Sequence, residues 1–157
     1  MYTDFSFGKM FRHVDTGEAI NRPTSSPTEA HMREALEGYV ANIGVEDPEY
    51  AKTYFSSPRE LSDPFGTKPM IIGDNASDAL GQIGQLLDVP FNPVKAELTA
   101  PVSLSLGNKA AVPFRLWAEV DGRKLTIDIV DVMTFDNEGK ICEILAFWGL
   151  DNVTFLS

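Results

Sequence analysis

Two long runs of alternating side chains meet at a two-residue break, and this constrains the fold more than any other feature of the chain. The runs are "VPFRLWAEV" and "RKLTIDIVDVMTF", and the break is Asp121-Gly122. Successive strand side chains point to opposite faces, so a period of two marks a half-buried strand. Asp-Gly suits a two-residue hairpin turn, in which both residues take positive φ. The pattern predicts antiparallel strands at about 110–120 and 123–135.

The alternation also sorts the residues by face. One row of the first strand holds Val112, Phe114, Leu116, Ala118 and Val120. The matching row of the second holds Leu125, Ile127, Ile129, Asp131, Met133 and Phe135. Asp131 is the one polar member of that row. Asp128 falls on the other, mixed face with Arg115, Trp117 and Glu119, where solvent explains it. Asp131 has two readings: a strand acid meeting solvent or an arginine at a sheet end, or a carboxyl kept neutral because an unpartnered buried charge is too costly.

Two further strands are expected at about 94–105 and 140–149, with turns at "GNK" and "DNEG". Helical signals precede them. "SPTE" places Ser26 as cap, Pro27 at the first position and Glu29 at the third, before a stripe of Met32, Leu36, Tyr39, Val40 and Ile43. Asp47-Pro48 starts a short helix running to about Phe55. A third is expected over 73–87, where Gly81 and Gly84 weaken it. Residues 1–25 show no clear period and are read as an extension, leaving 26–157 as one domain. Three helices followed by a strand meander indicate an α+β fold with helices on one face of a curved sheet.

Composition narrows the function classes. The 157-residue chain is 43% apolar and 23% charged, ordinary for a soluble globular protein. A formal net charge of −10 argues against nucleic acid and anionic membranes as partners. The single cysteine, Cys142, permits no intrachain disulfide and no thiolate zinc site. No apolar run reaches spanning length and the first residues lack a signal peptide's apolar core, so a cytoplasmic setting is the default expectation. With only His13 and His31 available, acid–base chemistry would fall to carboxylates or tyrosines.

Three residues carry such chemistry. Asp131, if neutral, is a hydrogen-bond donor able to stabilise negative charge on a substrate oxygen. Tyr39 places a ring on an apolar stripe and a hydroxyl in search of a partner, although a core tyrosine looks the same. Asp63, in "SDPFG", would stay ionised as a base or simply initiate a turn before Pro64.

The segments around these residues resemble one family. "VPFRLWAEVDGRKLTIDIVDVMTFDNEGKICEILAFWG", "EALEGYVANI" and "ELSDPFG" are similar, in order and spacing, to ketosteroid isomerase of the nuclear-transport-factor-2-like (NTF2-like, SnoaL-like) superfamily, over roughly 28–155. The resemblance implies a curved antiparallel sheet and three N-terminal helices forming a conical barrel around an apolar pocket. It implies Asp63 as general base, and Tyr39 and protonated Asp131 as the oxyanion hole. It further implies Tyr54 as support for Tyr39, Phe114 and Trp148 as pocket lining, no metal or organic cofactor, and a homodimer through the outer sheet face. Near Gly81, where some members carry a further tyrosine, the sequence departs. The implied activity is isomerisation of a 3-oxo-Δ5-steroid to Δ4. The alternatives are another enzyme on this fold (epoxide hydrolase, dehydratase or polyketide cyclase) or a non-catalytic small-molecule binding module.

Overall fold

The computed structural model describes residues 6–21, 27–45, 47–73 and 89–157. The hairpin forms as its sequence predicts. β5 (Lys109–Val120) and β6 (Arg123–Phe135) pair antiparallel without interruption, from Lys109 opposite Thr134 to Val120 opposite Arg123. Asp121 and Gly122 take φ of 50° and 74°, the double positive of a tight hairpin turn. The two inner rows are buried from Val112 to Ala118 and from Leu125 to Phe135.

Around the hairpin the sheet differs from a four-stranded antiparallel meander. Its order is β2-β1-β7-β6-β5-β3. β1 (Phe55–Ser62) pairs antiparallel with β2 (Met70–Ile72) but parallel with β7 (Ile141–Phe147). The expectation of a purely antiparallel sheet is corrected by this pairing. It joins segments far apart in the chain, and no local pattern announces it. Pro58 also breaks the alternation of β1, so the strand reads as a loop. The strand expected at 94–105 divides into β3 (Phe91–Leu98) and β4 (Ser103–Leu104), both on β5. β3 begins before Pro93, because an edge strand tolerates a missing N–H. β8 (Val153–Phe155) pairs with the start of β6, while β7 pairs with its end.

The helices also bring corrections. Residues 1–25 were expected to lack an element, yet α1 spans Phe7–Thr16. Ser6 caps the N–H of Lys9 at 3.2 Å, and Gly17 at φ 76° ends the helix. Phe7, Met10, Phe11 and Val14 do fall at helical spacing, but none of α1 is buried. α2 is Glu29–Asn42, and its cap is Thr28 rather than Ser26: Thr28 accepts from the His31 N–H at 3.1 Å. Met32, Ala35, Leu36 and Val40 form its buried stripe. α3 (Pro48–Tyr54) starts as predicted, with Asp47 accepting from the Glu49 N–H at 3.0 Å, and runs directly into β1. Apart from Gly73, the helix expected over 73–87, with Gly81, lies outside the described residues.

α2 packs across β3, β4 and β5 and against α3. Its stripe and the inner rows make one core, in which Phe135, Met32, Leu36 and Met133 are fully buried. Each such side chain contributes ~1.5–3 kcal/mol relative to exposure. No helix among the described residues is long and apolar enough to cross a membrane.

Candidate active site

The core row of β6 is interrupted by one carboxyl group. Asp131 lies between Val112 of β5 and Ala146 of β7, and 2% of its surface is exposed. Its Oδ1 is buried without a hydrogen-bond partner among the described residues. Burial pushes its pKa well above the carboxylate range; the negative charge of Asp63 adds to the rise, and a side-chain hydrogen bond with Tyr39 opposes it. Asp131 is therefore held as the neutral acid, a state that supplies a donor.

Tyr39 reaches Asp131 from the opposite layer. Its ring on α2 sits edge-on between Phe55 and Phe114, with centroids 6.1 and 6.0 Å away. Tyr39 is half-buried as a residue, and its hydroxyl is hydrogen-bonded to Asp131. Burial, then the interactions with Asp131 and Asp63, raise the phenol far above its ordinary pKa. Two neutral O–H groups thus meet in one apolar place.

Asp63 arrives through the parallel pairing. β1 ends at Ser62 opposite Leu145 of β7, so the next residue of β1 lies near the chain leaving β7. There the indole Nε1 of Trp148 donates to Asp63 Oδ1 at 2.6 Å. The Phe65 N–H donates to the Ala146 carbonyl at 2.7 Å and pins the turn. Burial raises the pKa of Asp63, and the Trp148 bond opposes that rise by favouring the ionised form. Ionised Asp63 in turn disfavours a second charge on Asp131. Asp63, with a strong donor, is the one placed to ionise first.

The structure thus brings Asp63, Tyr39 and Asp131 together, with Phe114 and Trp148 against them. Phe114 is a buried contact of the Tyr39 ring, and Trp148 is above all the donor to Asp63. Tyr54 lies outside the group: its hydroxyl bonds Glu34, and its ring packs on His31 and Tyr50. Of the two tyrosines on α3, Tyr50 is the one whose interaction reaches the Tyr39 phenol. Its hydroxyl donates to the Ala35 carbonyl at 2.5 Å, one helical turn before Tyr39. Its ring fills the space of a Gly38 side chain, since a Cβ there would stand 2.8 Å from Tyr50 Cε2. Sequence reading missed Tyr50, although a glycine inside α2 beside Tyr39 signals close packing. Among the described residues no group of His, Cys, Asp and Glu is arranged to hold a metal ion.

Comparison with known proteins bears on the fold. No family model matches the chain. Among solved structures, one similar chain is the epoxide hydrolase/cyclase-like enzyme SalBIII, described for its role in pyran ring formation in polyether salinomycin. The two align with a TM-score of 0.61 and 21% identity, over 82% of this chain and 98% of the other. That likeness shows the fold: an α+β architecture with helices on a curved, open sheet.

Proposed function

We propose that Asp63, Tyr39 and Asp131 form a cofactor-free acid–base site that isomerises a small, apolar, unsaturated ketone, with a 3-oxo-Δ5-steroid converted to its Δ4 isomer as the specific case. Asp63 takes a proton from the carbon between the carbonyl and the double bond. Electrons shift into a dienolate, and Asp63 returns the proton to the far end of the conjugated system. No atom is gained or lost. Tyr39 and neutral Asp131 donate to the oxygen that becomes negative. The observation that carries this reading is the split between the two acids: Asp63 accepts a 2.6 Å bond from Trp148, while Asp131 Oδ1 is buried and unpartnered. A buried polar atom left unpaired costs about 1–3 kcal/mol. A ligand oxygen facing the neutral carboxyl would relieve that cost. The expected pairing of two copies on the outer sheet face belongs to the same proposal; Val130, Phe147 and Phe65 are exposed on that side or beside it.

The likeness to SalBIII favours a second reading, epoxide opening. There the neutral donors would protonate the epoxide oxygen while Asp63 takes a proton from an attacking hydroxyl or water.

One pair of assays separates the two. The protein is incubated with 5-androstene-3,17-dione while the absorbance of the conjugated enone is followed, and with a hydroxy-epoxide analysed by mass for diol or cyclic ether. Enone formation that falls about 10³-fold in Asp63→Asn is expected for isomerisation. Epoxide consumption without enone would favour the second reading, and inertness toward both substrates would remove both.

A further inference from the structure

One charged side chain beside the site is not used by this chemistry. Arg59 is half-buried on β1, four residues before Asp63. The pairing of β1 with β7 shifts register between Phe55 and Glu60, and the arginine reaches back over that irregularity. Its guanidinium carbon lies 4.6 Å from the centroid of the Phe55 ring, the ring that also packs edge-on against Tyr39. Among the described residues Arg59 forms no ion pair, unlike Arg12 and Arg115, which each hold a carboxylate. A guanidinium stays charged under all ordinary conditions. A half-buried cation without a carboxylate therefore projects its charge into its surroundings, and salt screens it less than a surface charge.

The surroundings are those of Tyr39. Asp131, Asp63 and Tyr50 all act on the Tyr39 phenol to hold its proton. Burial pushes the Arg59 guanidinium down, and interaction with Tyr39 partly offsets that. When Asp63 takes the proton it becomes neutral and the negative charge passes to the ligand oxygen, and a nearby cation makes the charge less costly there.

We infer that Arg59 is a positioning charge of this site: its guanidinium, stacked on Phe55 behind Tyr39, favours negative charge on the ligand oxygen that Tyr39 and Asp131 bind. The inference rests on the oxyanion role proposed above. It makes the site selective for ligands that carry or develop an anionic oxygen over neutral acceptors of the same shape.

The test compares two ligands of similar size. 2-Naphthol can ionise when bound, and its fluorescence reports the ionised fraction. 2-Acetylnaphthalene accepts hydrogen bonds but cannot ionise. Replacing the guanidinium by a neutral group, Arg59→Met or Arg59→Gln, is expected to lower the ionised fraction of bound 2-naphthol. It should also weaken 2-naphthol about tenfold relative to 2-acetylnaphthalene. Arg59→Lys should restore most of that ratio, which a purely packing role would not require. An unchanged ionised fraction, equal losses for both ligands, or failure of lysine to rescue would overturn the inference, as would wild-type protein that binds neither ligand. The measurement reads ligand ionisation and no turnover. A negative enone assay with intact, Arg59-dependent ionisation would therefore reject the isomerase reading and keep this one.

Discussion

Asp128 and Asp131 stand three residues apart on β6 and face opposite sides of the sheet. Asp128 is bound in two places by Arg115, with Nε–Oδ1 at 2.7 Å and Nη2–Oδ2 at 2.9 Å, and both side chains are about half exposed. That hydrogen-bonded partner lowers its pKa. Asp131 has apolar neighbours in both adjoining strands, and burial raises its pKa well above the ordinary value. The same side chain on the same strand is thus an anion on one face and an acid on the other. Chemical character here is set by which face the alternation assigns, and only the inner face holds a carboxyl in a form able to donate.

The sharpest way to break the contrast is Asp131→Leu. Turnover should fall about 10²-fold, the size of effect seen when one oxyanion donor is removed. Stability should hold or rise, because leucine suits the row and removes an unpartnered polar group. The pH dependence gives the sign. A carboxyl whose folded pKa lies above its unfolded value binds its proton more tightly in the folded state. Wild-type stability should therefore decline as pH rises from the ordinary aspartate range, about 4, toward the raised folded value. In Asp131→Leu that part of the decline disappears, and melting curves taken between pH 4 and 8 will show it. Unfolding of the variant at every pH would instead mark Asp131 as an ionised structural partner.

A smaller change adjusts the second inner acid. Trp148→Phe removes the donor that favours ionised Asp63. The acid limb of the kcat/KM profile should move to higher pH, with activity at high pH reduced less than at neutral pH. A limb that stays in place would separate Asp63 from the rate-determining proton transfer. The smallest effect is expected on the outer face. Asp128→Asn loses an exposed ion pair, so turnover should be unchanged and any loss in Tm should vanish in high salt. A clear fall in turnover would mean that the two faces are not independent.

The alternation made much of this legible. The hairpin, its turn and the assignment of Asp131 to the buried row all follow from a period of two. So does the placement of Tyr39 on the core stripe of α2. Asp63 was legible only by resemblance, because Asp-Pro alone indicates no more than a turn. What stayed hidden depends on long-range pairing. The parallel contact of β1 with β7, which sets Asp63 beside Trp148, leaves no periodic trace in either segment. Tyr50 and Tyr54 sit four residues apart on one short helix, and nothing in their spacing tells which one lies nearer the Tyr39 phenol. The α1 helix was missed for a different reason: none of its residues is buried among the described residues, so its stripe lacked the context that makes such patterns meaningful.

The edge of β6 is served by two strands in succession. β7 accompanies Val130 to Phe135 and β8 accompanies Leu125 to Ile127, so the chain leaves that edge between Phe147 and Val153. The excursion closes on itself, with the Gly149 N–H donating to Asn152 Oδ1 at 2.8 Å. Trp148 begins it. The proton affinity of Asp63 is therefore tuned from a short detour, while that of Asp131 is built into the packed interior. Replacements within 149–152 could shift the working pH of the base without repacking a single core residue, so one acid of the pair is open to gradual adjustment and the other is fixed with the fold.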